Sequence, residues 1–67
     1  MKLRIKMSDG TSYEFYKENG RGAKFETLAN AILCSSYQII TYVDEDNNTK
    51  QVCINPKYIV TITYLGE

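Results

Sequence analysis

The side chains able to do chemistry are few. Two cysteines, Cys34 and Cys53, are present and histidine is absent, so a nucleophilic thiol lacks its usual imidazole base and an ordinary tetrahedral zinc site lacks ligands. The acidic run Asp44-Glu45-Asp46-Asn47-Asn48 sets oxygen ligands at alternate positions, as the first half of a calcium loop does. Its second half fails, because Thr49 stands where glycine makes the sharp turn and Asn55 where a bidentate glutamate closes the site. The run reads instead as a solvated hairpin turn. No metal, no cofactor and no catalytic residue is expected, and the chain is read as a non-enzyme.

Two basic features remain. Gly20-Arg21-Gly22 precedes a helical pattern, and exposed N–H groups at a helix start attract anions. It has neither the length nor the Lys-Ser or Lys-Thr ending of a phosphate-binding P-loop, so it reads as a loop and cap. Lys2, Arg4 and Lys6 recur at every second position with Tyr16 beside them in the expected register. Together with Arg21 they could hold single-stranded nucleic acid by phosphate contact and stacking. The plainer reading is a solubilising strand face countered by Glu14.

Tyrosine is the other conspicuous residue type, at positions 13, 16, 37, 42, 58 and 64. It brings large contact area at low entropy cost, with a hydroxyl to bond. Tyr16, Tyr42, Tyr58 and Tyr64 are the expected contacts for a larger protein partner.

These residues need elements to position them. Leu3, Ile5 and Met7 alternate with Lys2, Arg4 and Lys6, the period of a strand with one dry face. A second alternating run spans Ser12 to Lys17. Joining them by a two-residue Asp9-Gly10 turn mixes the faces. A Ser8-Asp9-Gly10 loop with Gly10 at a left-handed bulge position instead sets Leu3 against Phe15, Ile5 against Tyr13, Met7 against Thr11 and Arg4 against Glu14.

After the Asn19 to Gly22 loop, Phe25, Leu28, Ala29 and Ile32 form a helical stripe, ended by Ser35 and Ser36. Tyr37 to Val43 is apolar on both faces and is expected centrally in a sheet. Asn47-Asn48 is expected as a two-residue turn that pairs Glu45 with Lys50, Val43 with Val52 and Thr41 with Ile54. Asn55-Pro56-Lys57 turns the chain again. Tyr58 to Leu65 is the last strand, largely apolar or aromatic on both sides.

The expected fold is α+β in the order ββαβββ: a small, mostly antiparallel five-stranded sheet or partly closed barrel with one helix. Residues 1–67 form one domain near the lower size limit, burying only about 60% of the surface of the unfolded chain. Both cysteines are expected as reduced, small core residues of a cytoplasmic protein. No run approaches the ~20 apolar residues of a membrane span, so the chain is expected to be soluble and free of the membrane.

Net charge is zero, which removes the overall electrostatic footprint of a general nucleic-acid binder. Charge is still segregated: Met1 to Lys24 is net basic, whereas every charge between Phe25 and Thr49 is negative. One helix can cover only one face of the sheet, so the second is expected to be covered by self-closure, by a second chain in a homodimer, or by a target.

Met1-Lys2-Leu3-Arg4-Ile5-Lys6 and Ile54-Asn55-Pro56-Lys57-Tyr58-Ile59-Val60-Thr61-Ile62 resemble in style short proteins encoded by phages and mobile elements of AT-rich Gram-positive bacteria. The resemblance implies a stoichiometric inhibitor or regulator of host machinery, defence systems included, in the host cytoplasm. The leading expectation is a non-enzymatic protein-binding module; the alternative is a small single-stranded nucleic-acid-binding β domain.

Overall fold

The computed structural model describes residues 1–17, 22 and 24–67. The expected contribution of Arg21, and of Asn19 and Gly20 to a loop, lies outside the described residues. Elements follow in the order β1 (Lys2–Met7), β2 (Ser12–Tyr16), α1 (Phe25–Leu33), β3 (Gln38–Val43), β4 (Thr49–Ile54), one turn of 3-10 helix at Pro56–Tyr58, and β5 (Ile59–Gly66). That is the expected ββαβββ order.

The first hairpin forms in the expected register, with Leu3 opposite Phe15, Arg4 opposite Glu14 and Ile5 opposite Tyr13. Gly10 takes φ +92°, a conformation that costs glycine least. The Met7 N–H donates to the Thr11 carbonyl at 2.8 Å, and the Gly10 N–H to the Met7 carbonyl at 3.0 Å. The Asp9 carboxylate accepts from the Thr11 N–H.

The second hairpin differs from expectation by three residues. Val43 faces Thr49, Tyr42 faces Lys50, Ile40 faces Val52 and Gln38 faces Ile54. The loop repeats the first one, since the Asp44 N–H donates to the Asn48 carbonyl and the Asn47 N–H to the Asp44 carbonyl, both at 3.0 Å. Asn47, at φ 65°, fills the place Gly10 fills in the first. The Asp44 carboxylate decides the matter by accepting from the Asp46 and Asn48 N–H groups at 3.0 and 2.9 Å. A two-residue Asn47-Asn48 turn would forfeit all four bonds. Because the slip is odd it exchanges faces: Ile40, Tyr42, Val52 and Ile54 turn inward, while Ile39, Thr41 and Val43 turn out.

The expected single sheet or barrel is corrected to two sheets, β2-β1-β5 and β3-β4. After Ile54 the chain enters the turn at Pro56, where the Asn55 side chain accepts from the Lys57 N–H. It then pairs β5 with β1 instead of with β4. β3 is therefore an end strand, not a central one. Two register shifts in the β1–β5 ladder, beside Met7 and beside Lys2, explain why β5 defies a simple two-face reading. An extra residue exchanges faces, so Ile59, Ile62 and Tyr64 all oppose inward residues of β1 although their numbers differ in parity.

Helix α1 and the β3–β4 ribbon both lie on the inner face of the three-stranded sheet. Leu3, Ile5 and Phe15 from the sheet, Ile32 from the helix, and Ile40 and Ile54 from the ribbon form the buried core. By register the sheet's outer face carries Lys2, Arg4, Lys6, Ser12, Glu14, Tyr16, Thr61 and Thr63 and is mainly polar, with Tyr16 and the bulge residues Val60 and Leu65 as its exposed apolar side chains. The helix and the ribbon thus share the cover of one face of this sheet, the other being mainly polar and needing none, while Ile39 and Val43 on the outer face of the ribbon stay exposed. The helix stops where the Ser35 hydroxyl donates to the Ala31 carbonyl at 2.7 Å. The cysteines also depart from expectation. Cys34 caps the helix and Cys53 lies on the outer ribbon face opposite Ile39, and both thiols are free and exposed. Their neighbours Ile32, Val52 and Ile54 hold the inward positions instead. No described helix is long and apolar enough to cross a membrane.

Candidate functional site

β2 and β3 are each the end strand of a sheet, and they approach one another without a hydrogen-bond ladder. Between them runs an open groove of about 910 Å³, lined by β2 from Ser12 to Tyr16, by Thr41, Tyr42 and Val43 of β3, by the acidic turn Asp44 to Asp46, and by Lys2. Hairpin geometry positions each wall. Inward alternation on β2 and β3 brings Tyr13 and Tyr42 together as a tilted ring pair, centroids 5.4 Å apart at 58°, a geometry aromatic quadrupoles favour.

The groove is acidic. Glu14, Asp44, Glu45 and Asp46 line it against a single cation, Lys2. Glu14 is engaged on the outer face by Arg4 at 3.1 Å and by Lys2 at 3.6 Å. Asp44 is held by its turn and by Lys50 at 3.1 Å. The Asn48 N–H, then Lys50, draw its carboxyl below the ordinary aspartate value, and the same ion pair raises Lys50. Glu45 and Asp46 have no ion-pair partner among the described residues and leave net negative charge at that end.

The sequence-derived tyrosines do not form one patch. Tyr16 is 71% exposed at the groove rim, with the Lys2 ammonium 5.8 Å from its ring centre. Tyr42 lies deeper in the same groove. Tyr58 is exposed beside a second depression, shared with Asp9, Asn55 and Cys53. Tyr64 packs at 5.8 Å from the Phe25 ring, and its hydroxyl donates to Glu67 at 2.7 Å, which raises the phenol above its ordinary value. Only Tyr16 and Tyr42 are brought together. Tyr13, Glu45 and Asp46 belong with them, although the sequence pattern places Tyr13 only opposite Ile5 and the two carboxylates only in a turn; nothing in a linear pattern shows that β2 and β3 approach.

Lys2, Arg4 and Lys6 do share one face, as the alternation implies. Glu14 sits among them and pairs with two, leaving Lys6 as the member without a carboxylate among the described residues. Among the described residues no three His, Cys, Asp or Glu side chains gather so as to hold a metal ion. Comparison of the chain with protein-family models, with curated proteins and with solved structures gives no significant match in any of the three.

Proposed function

We propose that this chain is a non-enzymatic protein-binding module that holds a basic, extended segment of a larger protein in the groove between β2 and β3. The observation that carries the reading is the meeting of two unladdered end strands across an aromatic-lined groove, at one end of which Glu45 and Asp46 have no ion-pair partner among the described residues. An extended segment gains main-chain bonds by adding to a free strand edge, and alternate side chains give it specificity. Tyr16 and Tyr42 supply apolar contact, and Glu45 and Asp46 favour Lys or Arg. The likeness in style to phage-encoded proteins fits a stoichiometric inhibitor or regulator acting on a host protein in the cytoplasm.

Nucleic acid is the weaker reading, because Glu14 opposes two of the three cations that phosphates would need. The test uses two labelled hexapeptides, one alternating Val with Lys and one alternating Val with Glu, followed by anisotropy and by amide chemical shifts. The Lys peptide is expected to bind and to shift Tyr16, Tyr42, Val43 and Glu45, while Glu45→Lys with Asp46→Lys abolishes the preference. Equal binding of both peptides, or shifts confined to another face, rejects the groove. Steeply salt-dependent binding of oligothymidylate, lost on charge reversal at Lys2, Arg4 and Lys6, would install the nucleic-acid reading instead.

A further inference from the structure

The strand edges of this fold are guarded unequally. A free edge is a row of unpaired N–H and C=O groups, which proteins blunt with charge, proline or bulges. β2 carries Glu14, β4 carries Lys50, and β3, itself without charge or proline, has β2 across the groove from it. β5 reads Ile59-Val60-Thr61-Ile62-Thr63-Tyr64-Leu65-Gly66, with neither a charge nor a proline. It is the longest strand, one edge is laddered to β1, and no described strand pairs with the other. Val60, at 60% exposure, and Thr61, Thr63, Tyr64 and Leu65 are all exposed.

Within the regular stretch of β5, Ile62 is flanked by a threonine on each side. An antiparallel mate related by a twofold axis at Ile62 sets Thr61 opposite Thr63 of the second copy, on both sides of the axis. Hydroxyl meets hydroxyl, a cross-strand pair that stabilises antiparallel sheets. No charged side chain lies in the strand, so no like charges meet across the axis. The two bulges bracket the regular stretch from Thr61 to Tyr64, so pairing falls where the edge is undistorted.

We propose that β5 is a self-association edge, through which two copies pair antiparallel about Ile62 into one six-stranded sheet. The contact is isologous and closes as a dimer. It lies at the end of the sheet opposite β2, so it neither uses nor blocks the groove and does not depend on the groove's role.

The test is sedimentation of the wild-type chain from about 10 µM to about 1 mM, a range in which weak pairing becomes populated, beside the variant Thr61→Glu/Thr63→Glu. Within one copy the new carboxylates face Lys6 and Arg4 of β1, so the fold is spared. Between copies they meet as two like-charge pairs. The wild type is expected to rise from 7.7 kDa toward twice that mass, and the variant to stay monomeric with an undiminished melting temperature. Register is read by disulfide formation in a Cys34→Ser/Cys53→Ser background. A mixture of Thr61→Cys and Thr63→Cys chains should cross-link, whereas either alone should not, because identical positions then exceed the ~7 Å Cα reach of a disulfide. A wild type monomeric throughout, a double variant that still dimerises, or equal cross-linking in the unmixed samples overturns the proposal.

Discussion

Single residues decide both hairpins. Asn47 holds a left-handed φ in a loop otherwise matched by Gly10 in the first hairpin, and a Cβ without a local hydrogen-bonding group is strained there. Asn47→Ala should cost roughly 1 kcal/mol, while Asn47→Gly should leave stability nearly unchanged; urea unfolding at constant m-value measures both. Asp44 adds a pH dependence. Its carboxyl is held below the ordinary value of 3.8, first by the Asn48 N–H and then by Lys50. Its stabilisation is fully present above pH 3.8 and is lost as pH falls through the lower folded value. Acid titration of the melting temperature should therefore show a loss below that pH that shrinks in Asp44→Ala. Cys34 and Cys53 are both exposed, so two thiols per chain should react with a disulfide reagent without denaturant; slow reaction of either would place it back in the core.

Among the elements, the β3–β4 ribbon carries the sharpest consequence. Ile40 is buried, whereas Ile39 and Val43 are 54% and 59% exposed. Removing a buried isoleucine leaves a cavity that costs about 2–5 kcal/mol. Exposed substitutions usually fall within about 0.5 kcal/mol. Ile40→Ala should thus be severely destabilising and Val43→Thr nearly silent. The register expected from a two-residue turn would have set Val43 against Val52 and made the second substitution costly, so the pair of variants discriminates between registers. The strand β5 teaches the same lesson by another route: its bulges let Ile59, Ile62 and Tyr64 share a face that alternation alone would divide.

For the whole molecule, size is the governing constraint. At about 0.05–0.15 kcal/mol per residue, 67 residues provide a total of roughly 3–10 kcal/mol, so Ile40→Ala consumes much of it. The core is a junction of three elements, sheet, helix and ribbon, and none of them encloses the others alone. That construction leaves two end strands facing each other across the acidic groove. Tyr16→Ala should weaken binding of the Lys-Val peptide while leaving the melting temperature unchanged, because its ring is largely in solvent. A fall in stability equal to the fall in affinity would show that Tyr16 supports the fold instead of the contact.

Local chemistry settled what depends on neighbours along the chain. Alternation at Leu3, Ile5 and Met7, the helical stripe from Phe25 to Ile32, the breaker at Pro56 and the glycine demanded by the first loop gave element order and one complete register, because each is fixed within a few residues. Strand partners, the second register, the exposure of Cys53 and the meeting of Tyr13 with Tyr42 were decided in three dimensions. Each depends on which apolar faces bury one another best, and there the same β-branched run serves equally well as a central strand or as one half of a ribbon.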